Sequence, residues 1–111
     1  MNEELHWLTI TQTVSLIEAK KLSASEFFDH IARRIESFNP QLNAFVATDL
    51  DHTRDQAKRI DDLIQKGESV GSLVGALIGL KDICATEEFP TRMGSVALDL
   101  FLPGEDSEIA A

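Results

Sequence analysis

Lys81 is the side chain in this sequence best placed to do chemistry. It ends an unbroken apolar run, Leu73 to Leu80, in the stretch "VGALIGLKDICATEEFPTRMGS". Lysines are few in this acidic chain, and one at the tip of its most hydrophobic segment is not the usual ornament of a polar helix face. Burying an ammonium costs free energy and favours the neutral amine, which can accept a proton as a general base. The plainer reading is also open: the lysine ends a strand and reaches water, or pairs with Asp82. Cys84 follows three residues later and could be a nucleophile, but no histidine base is near it in sequence, and an inert buried thiol is the commoner state. His6, His30 and His52 are far apart, and none forms a metal-ligand spacing with Cys84, so each reads as a surface or packing histidine and no metal is expected.

The glycines at 71, 75 and 79 invite two other readings, and both fail on spacing. A phosphate-binding loop needs Gly-Lys-Ser/Thr, whereas Leu80 separates Gly79 from Lys81 and Asp82 follows it. A helix-dimer glycine motif needs an apolar segment more than twice as long as this one.

The elements that must carry these residues are helical at first. In "TITQTVSLIEAKK", Thr9 and Gln12 have capping-box spacing, and Ile10, Val14 and Ile17 share a face. In "SASEFFDHIARRIESF", Ser23 and Glu26 repeat the signature; Phe28, Ile31, Ile35 and Phe38 form a stripe, and Asn39-Pro40 is the expected stop. A strand-like "NAFVAT" leads into "DLDHTRDQAKRIDDLIQKG", a third helix with a thin apolar face (Leu50, Ala57, Ile60, Ile64) and Gly67 as its C-terminal stop. The texture changes near Gly71. Residues 1–70 read as a helical region and 71–111 as the start of a different core, with "LVGALIGL" a buried strand, "TEEFPTRMG" a loop and "SVALDLF" a short helix or turn. At "PGEDSEIAA", Glu105, Asp106 and Ser107 look like a helix opening, so the 111 residues are expected to be a fragment.

Bulk properties narrow the function. With 43% hydrophobic and 26% charged residues the chain has the composition of a globular domain. A net charge of −9 and no basic cluster larger than a neighbouring pair argue against a direct nucleic-acid partner. One cysteine, no signal-like N-terminus and no apolar run near the ~20 residues of a membrane span lead us to expect a soluble cytoplasmic protein, with no membrane partner.

The ordered pattern Gly71, Leu73, Gly75, Gly79, Lys81, Asp82, Thr86, Pro90, Thr91, Gly94, Ser95 resembles the start of the amidase-signature hydrolases, "GPLHGIPVGIKDNIDTAGLPTTAGS". Upstream, "LTITQTVSLIEAKKLSASEF" is similar to that family's first two helices and "RIESFNPQLNAFV" to its "RIEALNPxLNAFV", so the resemblance covers nearly the whole chain. It implies an α/β fold, with N-terminal helices leading into a mixed β-sheet core cut off after the lysine-bearing strand. It also implies hydrolysis of a C–N amide bond in a small-molecule substrate by a Ser-cisSer-Lys triad, without a cofactor. Lys81 matches the catalytic lysine, acting through a bridging serine; Asp82, Thr91, Gly94 and Ser95 match supporting positions. Val74, Leu77, Ile83, Ala85 and Glu88 depart from the pattern. Both serines of the triad belong to a glycine- and serine-rich segment with no counterpart here, so this chain alone is expected to be inactive. The other expectation is a short, non-catalytic amidase relative that docks partners. In either case open strand edges around Leu73–Leu80 predict self-association or pairing with another chain.

Overall fold

A computed structural model describes residues 4–98 and 104–111. Three α-helices dominate it: α1 (Ile10–Glu18), α2 (Ala24–Leu42) and α3 (Leu50–Gln65), with 3-10 turns at Leu5–Trp7 and Val96–Leu98. The chain divides into two compact units, one ending at Leu77 and one running from Ile78 to Ala111.

The helix starts follow their local chemistry. Thr9 Oγ1 accepts from the Gln12 amide at 3.2 Å, and the Gln12 side chain accepts from the Thr9 amide at 2.9 Å, so both halves of the capping box are made. Ser23 caps α2 by accepting from the Glu26 amide, and Asp49 caps α3 by accepting from the His52 amide, each at 3.0 Å. The ends are equally local. Gly67, at φ +73°, donates to the Ile64 carbonyl, and Glu68 donates to that of Leu63; this closes α3 with paired carbonyl bonds at the position expected from sequence. α1 ends in the same way, but with Lys20 at φ +56° where glycine is usual.

In the first unit α2 packs against α3, and the Leu5–Trp7 turn packs on α2. The core gathers Leu5, Val14, Ile17, Leu22, Ala24, Phe27, Phe28, Ala32, Ala57 and Val74, with Ile17 only 1% exposed. Small residues let backbone come close: a Cβ on Gly75, which sits at φ +71°, would land against Ile17 Cδ1 and 3.4 Å from Ala24 Cβ. Polar links add to the α2–α3 seam. Asp61 of α3 accepts from the Ala24 amide (2.7 Å), the Ser25 amide (3.1 Å) and the Ser25 hydroxyl (2.5 Å). Arg54 bonds Asp29 at 3.0 Å and lies 5.5 Å from the centre of the Phe28 ring.

Three expectations from sequence are corrected. The first is the fold class: no β-strand or sheet exists among the described residues, so the α/β architecture with a mixed-sheet core is not what this chain forms. A strand needs a neighbour for its backbone groups, and here Val74 and Ala76 donate instead to the carbonyls of Gly71 and Leu73, three residues back. Gly75, left-handed in the middle of the run, is incompatible with an extended segment there. Second, "NAFVAT" is not a strand. The Asn39 side chain accepts from the Phe45 amide at 2.8 Å and donates to its carbonyl at 3.0 Å, using both backbone groups a sheet ladder would need. Third, α2 does not stop at Asn39-Pro40 but runs to Leu42, and the Asn43 amide reaches the Asn39 carbonyl at 2.8 Å. Within "SVALDLF", Val96–Leu98 form a 3-10 turn, while residues 99–101 lie outside the described residues. Near the C-terminus the Ser107 carbonyl accepts from Ala110 and Ala111, making one turn.

Candidate active site

Asp82, Thr91, Gly94 and Ser95, the supporting positions expected with Lys81, lie with it in the unit Ile78–Ala111. Lys81 itself sits at a tight turn: its carbonyl accepts from Ile83 at 2.7 Å and Cys84 at 2.9 Å. Its side chain is exposed and forms no hydrogen bond or ion pair with any described residue. The apolar surrounding expected at the end of a buried strand is therefore not supplied by these residues.

Asp82 does the joining. Its carboxylate accepts from the Arg92 amide at 2.9 Å, and its carbonyl accepts from the Met93 amide at 3.0 Å. Ten residues of loop thus close on the residue next to Lys81, and the Lys81-Asp82 turn lies beside the Thr91–Ser95 segment. That segment turns sharply, with Met93 at φ +52° and Gly94 at φ +71°. Thr91 is 2% exposed, and its hydroxyl has no hydrogen-bond partner among the described residues. Ser95 works on its own backbone: its amide donates to the Arg92 carbonyl at 2.8 Å, and its hydroxyl accepts from Ala97 at 3.3 Å at the start of the 3-10 turn. The Thr86 hydroxyl accepts from the Phe89 amide at 3.0 Å and donates to the Phe89 carbonyl at 3.2 Å, shaping the loop that carries Glu88. Farther along, the Asp106 carboxylate accepts from the Glu87 amide at 2.7 Å, and Ser107 donates to the Ala85 carbonyl at 2.9 Å.

Lys81, Asp82 and the Thr91–Ser95 segment are therefore brought together as one loop cluster. Cys84, the one cysteine, is a half-buried free thiol. Among the described residues no three His, Cys, Asp or Glu side chains gather as a metal ion would require. What sequence reasoning missed is an interaction and not a motif. His6 and His30 meet in the helical unit, and a separation of 24 residues gives no spacing signal that could have announced it.

An exposed amine held beside a serine-bearing loop is compatible with many functions, so the comparison with known proteins carries the assignment. The family described as Amidase matches residues 26–111. The chain belongs to the amidase family. Similar curated proteins are the glutamyl-tRNA(Gln) amidotransferase subunits A of Brucella ovis, Brucella suis and Brucella abortus. Each is 38% identical over 108 residues, covering 97% of this chain and 22% of the relative. This amidase-family chain thus spans 22% of the length of the curated relatives it matches. No helix among its described residues is long and apolar enough to cross a membrane.

Proposed function

We propose that these residues form the lysine-bearing front portion of a cytoplasmic amide hydrolase, with Lys81 as its general base. The observation that carries this reading is the ordered match from Gly71 to Ser95, with Lys81-Asp82 at its centre, inside a region that the amidase family matches as a whole. In the reaction that the resemblance implies, the Lys81 amine accepts a proton from a bridging serine, which takes it from a nucleophilic serine as that oxygen attacks the amide carbonyl. That proton passes back through the bridging serine to the leaving nitrogen as the C–N bond breaks, leaving an acyl-serine; water, deprotonated by the same relay, then cleaves the ester to release the acid and restore the serine. Asp82 keeps the Thr91–Ser95 segment beside Lys81 through the Arg92 and Met93 amides. Both serines and the oxyanion donors come from residues other than these 111, so the chain by itself hydrolyses nothing. The relatives are named as amidotransferase subunits, which makes carboxamides, glutamine included, the substrates to try first.

The test is made on the polypeptide that carries this sequence in its source cells, isolated and assayed for ammonia release from amides. Lys81→Met is expected to lower kcat about a thousandfold, the scale of losing a general base, while the helical circular dichroism is kept. Undiminished turnover in that variant would overturn the assignment of Lys81. A native polypeptide no longer than 111 residues that hydrolyses amides would overturn the need for outside serines.

A further inference from the structure

Two side chains hold the Leu5–Trp7 turn on α2. Leu5 is buried in the helical core, and His6 Nδ1 lies 3.1 Å from His30 Nε2. The two rings are nearly parallel, at 9°, with centroids 5.4 Å apart. His30 retains 8% of its accessible surface, so its ring is closed in by protein and by its partner. Two imidazole nitrogens at this distance share one proton, one ring donating and the other accepting. A single added proton preserves the bond, because an imidazolium still donates to a neutral ring. A second proton leaves two donors face to face with no acceptor between them, and two positive charges side by side.

We propose that the His6–His30 pair is a proton-operated latch, which holds the N-terminal turn on α2 while His30 is neutral and releases it when both rings are charged. The charges that bear on His30 all favour release. His6 faces it from the turn, and Arg33 and Arg34 stand on its own helix. Arg54, reaching from α3 to the same helix, is engaged with Asp29 and Asp51, each at 3.0 Å, and Glu4, just before the turn, is exposed. Burial first, and then His6, Arg33 and Arg34 nearby, hold His30 below the ordinary imidazole value of 6.5. The direction follows from proton linkage. Above 6.5 His30 is neutral whether the turn is docked or free, and the latch is fully engaged. As pH falls below 6.5 the free form binds the proton more readily, so docking weakens until His30 is protonated in the docked form as well.

The 111-residue chain itself provides the test, by NMR titration from about pH 8 to about pH 5 across the imidazole range. Ring-to-ring contacts between His6 and His30, and contacts of the Leu5 methyls with the core, are expected to disappear together in one reversible step, with His30 titrating below 6.5. In His30→Gln the Leu5 contacts should become independent of pH over that range. If that variant loses helical circular dichroism, His6→Gln, at a half-buried position, removes the same latch and decides the matter. Leu5 contacts that persist after both rings are charged, or that vanish with the same midpoint in a folded variant, would overturn the proposal.

Discussion

Asp61 shows how much a single exposed-looking acid can hold. From α3 it accepts three hydrogen bonds at the start of α2, two of them from the Ala24 and Ser25 amides, which have no partner inside their own helix. Ser23 satisfies the Glu26 amide from within the helix, so the first turn of α2 is capped from two sides. Replacing Asp61 with Ala leaves two helix-end amides and the Ser25 hydroxyl without acceptors, and also removes a link between α2 and α3. A loss of about 1–2 kcal/mol in urea unfolding is expected, on the scale of a lost N-cap. Asp61→Asn, which keeps an acceptor oxygen, should lose less. Equal losses for the two variants would show that the charge matters and the bonds do not. None of this is visible in sequence, where Asp61 and Asp62 look like the polar face of a surface helix.

At the scale of elements, local signals were legible and pairings were not. Thr9 with Gln12, Ser23 ahead of Glu26, and Gly67 each fix a helix end through bonds reaching only three to five residues, so the sequence carries the whole cause. The apolar run Leu73–Leu80 is different, because a strand exists only with a partner, and the run by itself turns back on Gly71 and Leu73. α2 passes Pro40 to end at Leu42, and the Asn39 side chain grips Phe45, a contact no periodicity reveals. At the candidate site, Lys81 and its loop were legible as a motif, whereas the closure of Asp82 onto Arg92 and the exposure of Lys81 were not. One local signal predicts an improvement. Lys20 ends α1 in the left-handed conformation that glycine adopts without a steric penalty, so Lys20→Gly should stabilise the chain by about 0.5–1 kcal/mol, read as a higher urea midpoint at unchanged slope. A lower midpoint would mean that the Lys20 side chain contributes more than its backbone strain costs.

For the whole molecule, the balance between apolar surface and charge decides behaviour in solution. The unit from Ile78 onward buries no hydrophobic side chain among its described residues; only Thr91 is fully enclosed. Ile78, Leu80, Ile83, Met93, Val96 and Ile109 are all exposed there, which is far from the habit of a self-sufficient domain. Self-association, expected from sequence through strand edges, would have to proceed through these side chains, since no strand is present among the described residues. Opposing it is a net charge of −9, which makes copies repel. That repulsion is screened over about 10 Å at 0.1 M salt and about 3 Å at 1 M, while apolar attraction is not weakened by screening. The apparent mass in sedimentation is therefore expected to rise with protein concentration, and to rise further when salt is added at fixed concentration. Ile83→Asp with Val96→Asp should lower it, by adding charge and removing apolar surface at once. A monomer at every concentration and salt level would mean that the exposed apolar side chains are too dispersed to form an adhesive patch. Association that weakens with salt would mean that charge pairs hold the copies together, which the acid excess of this chain makes an unfavourable arrangement.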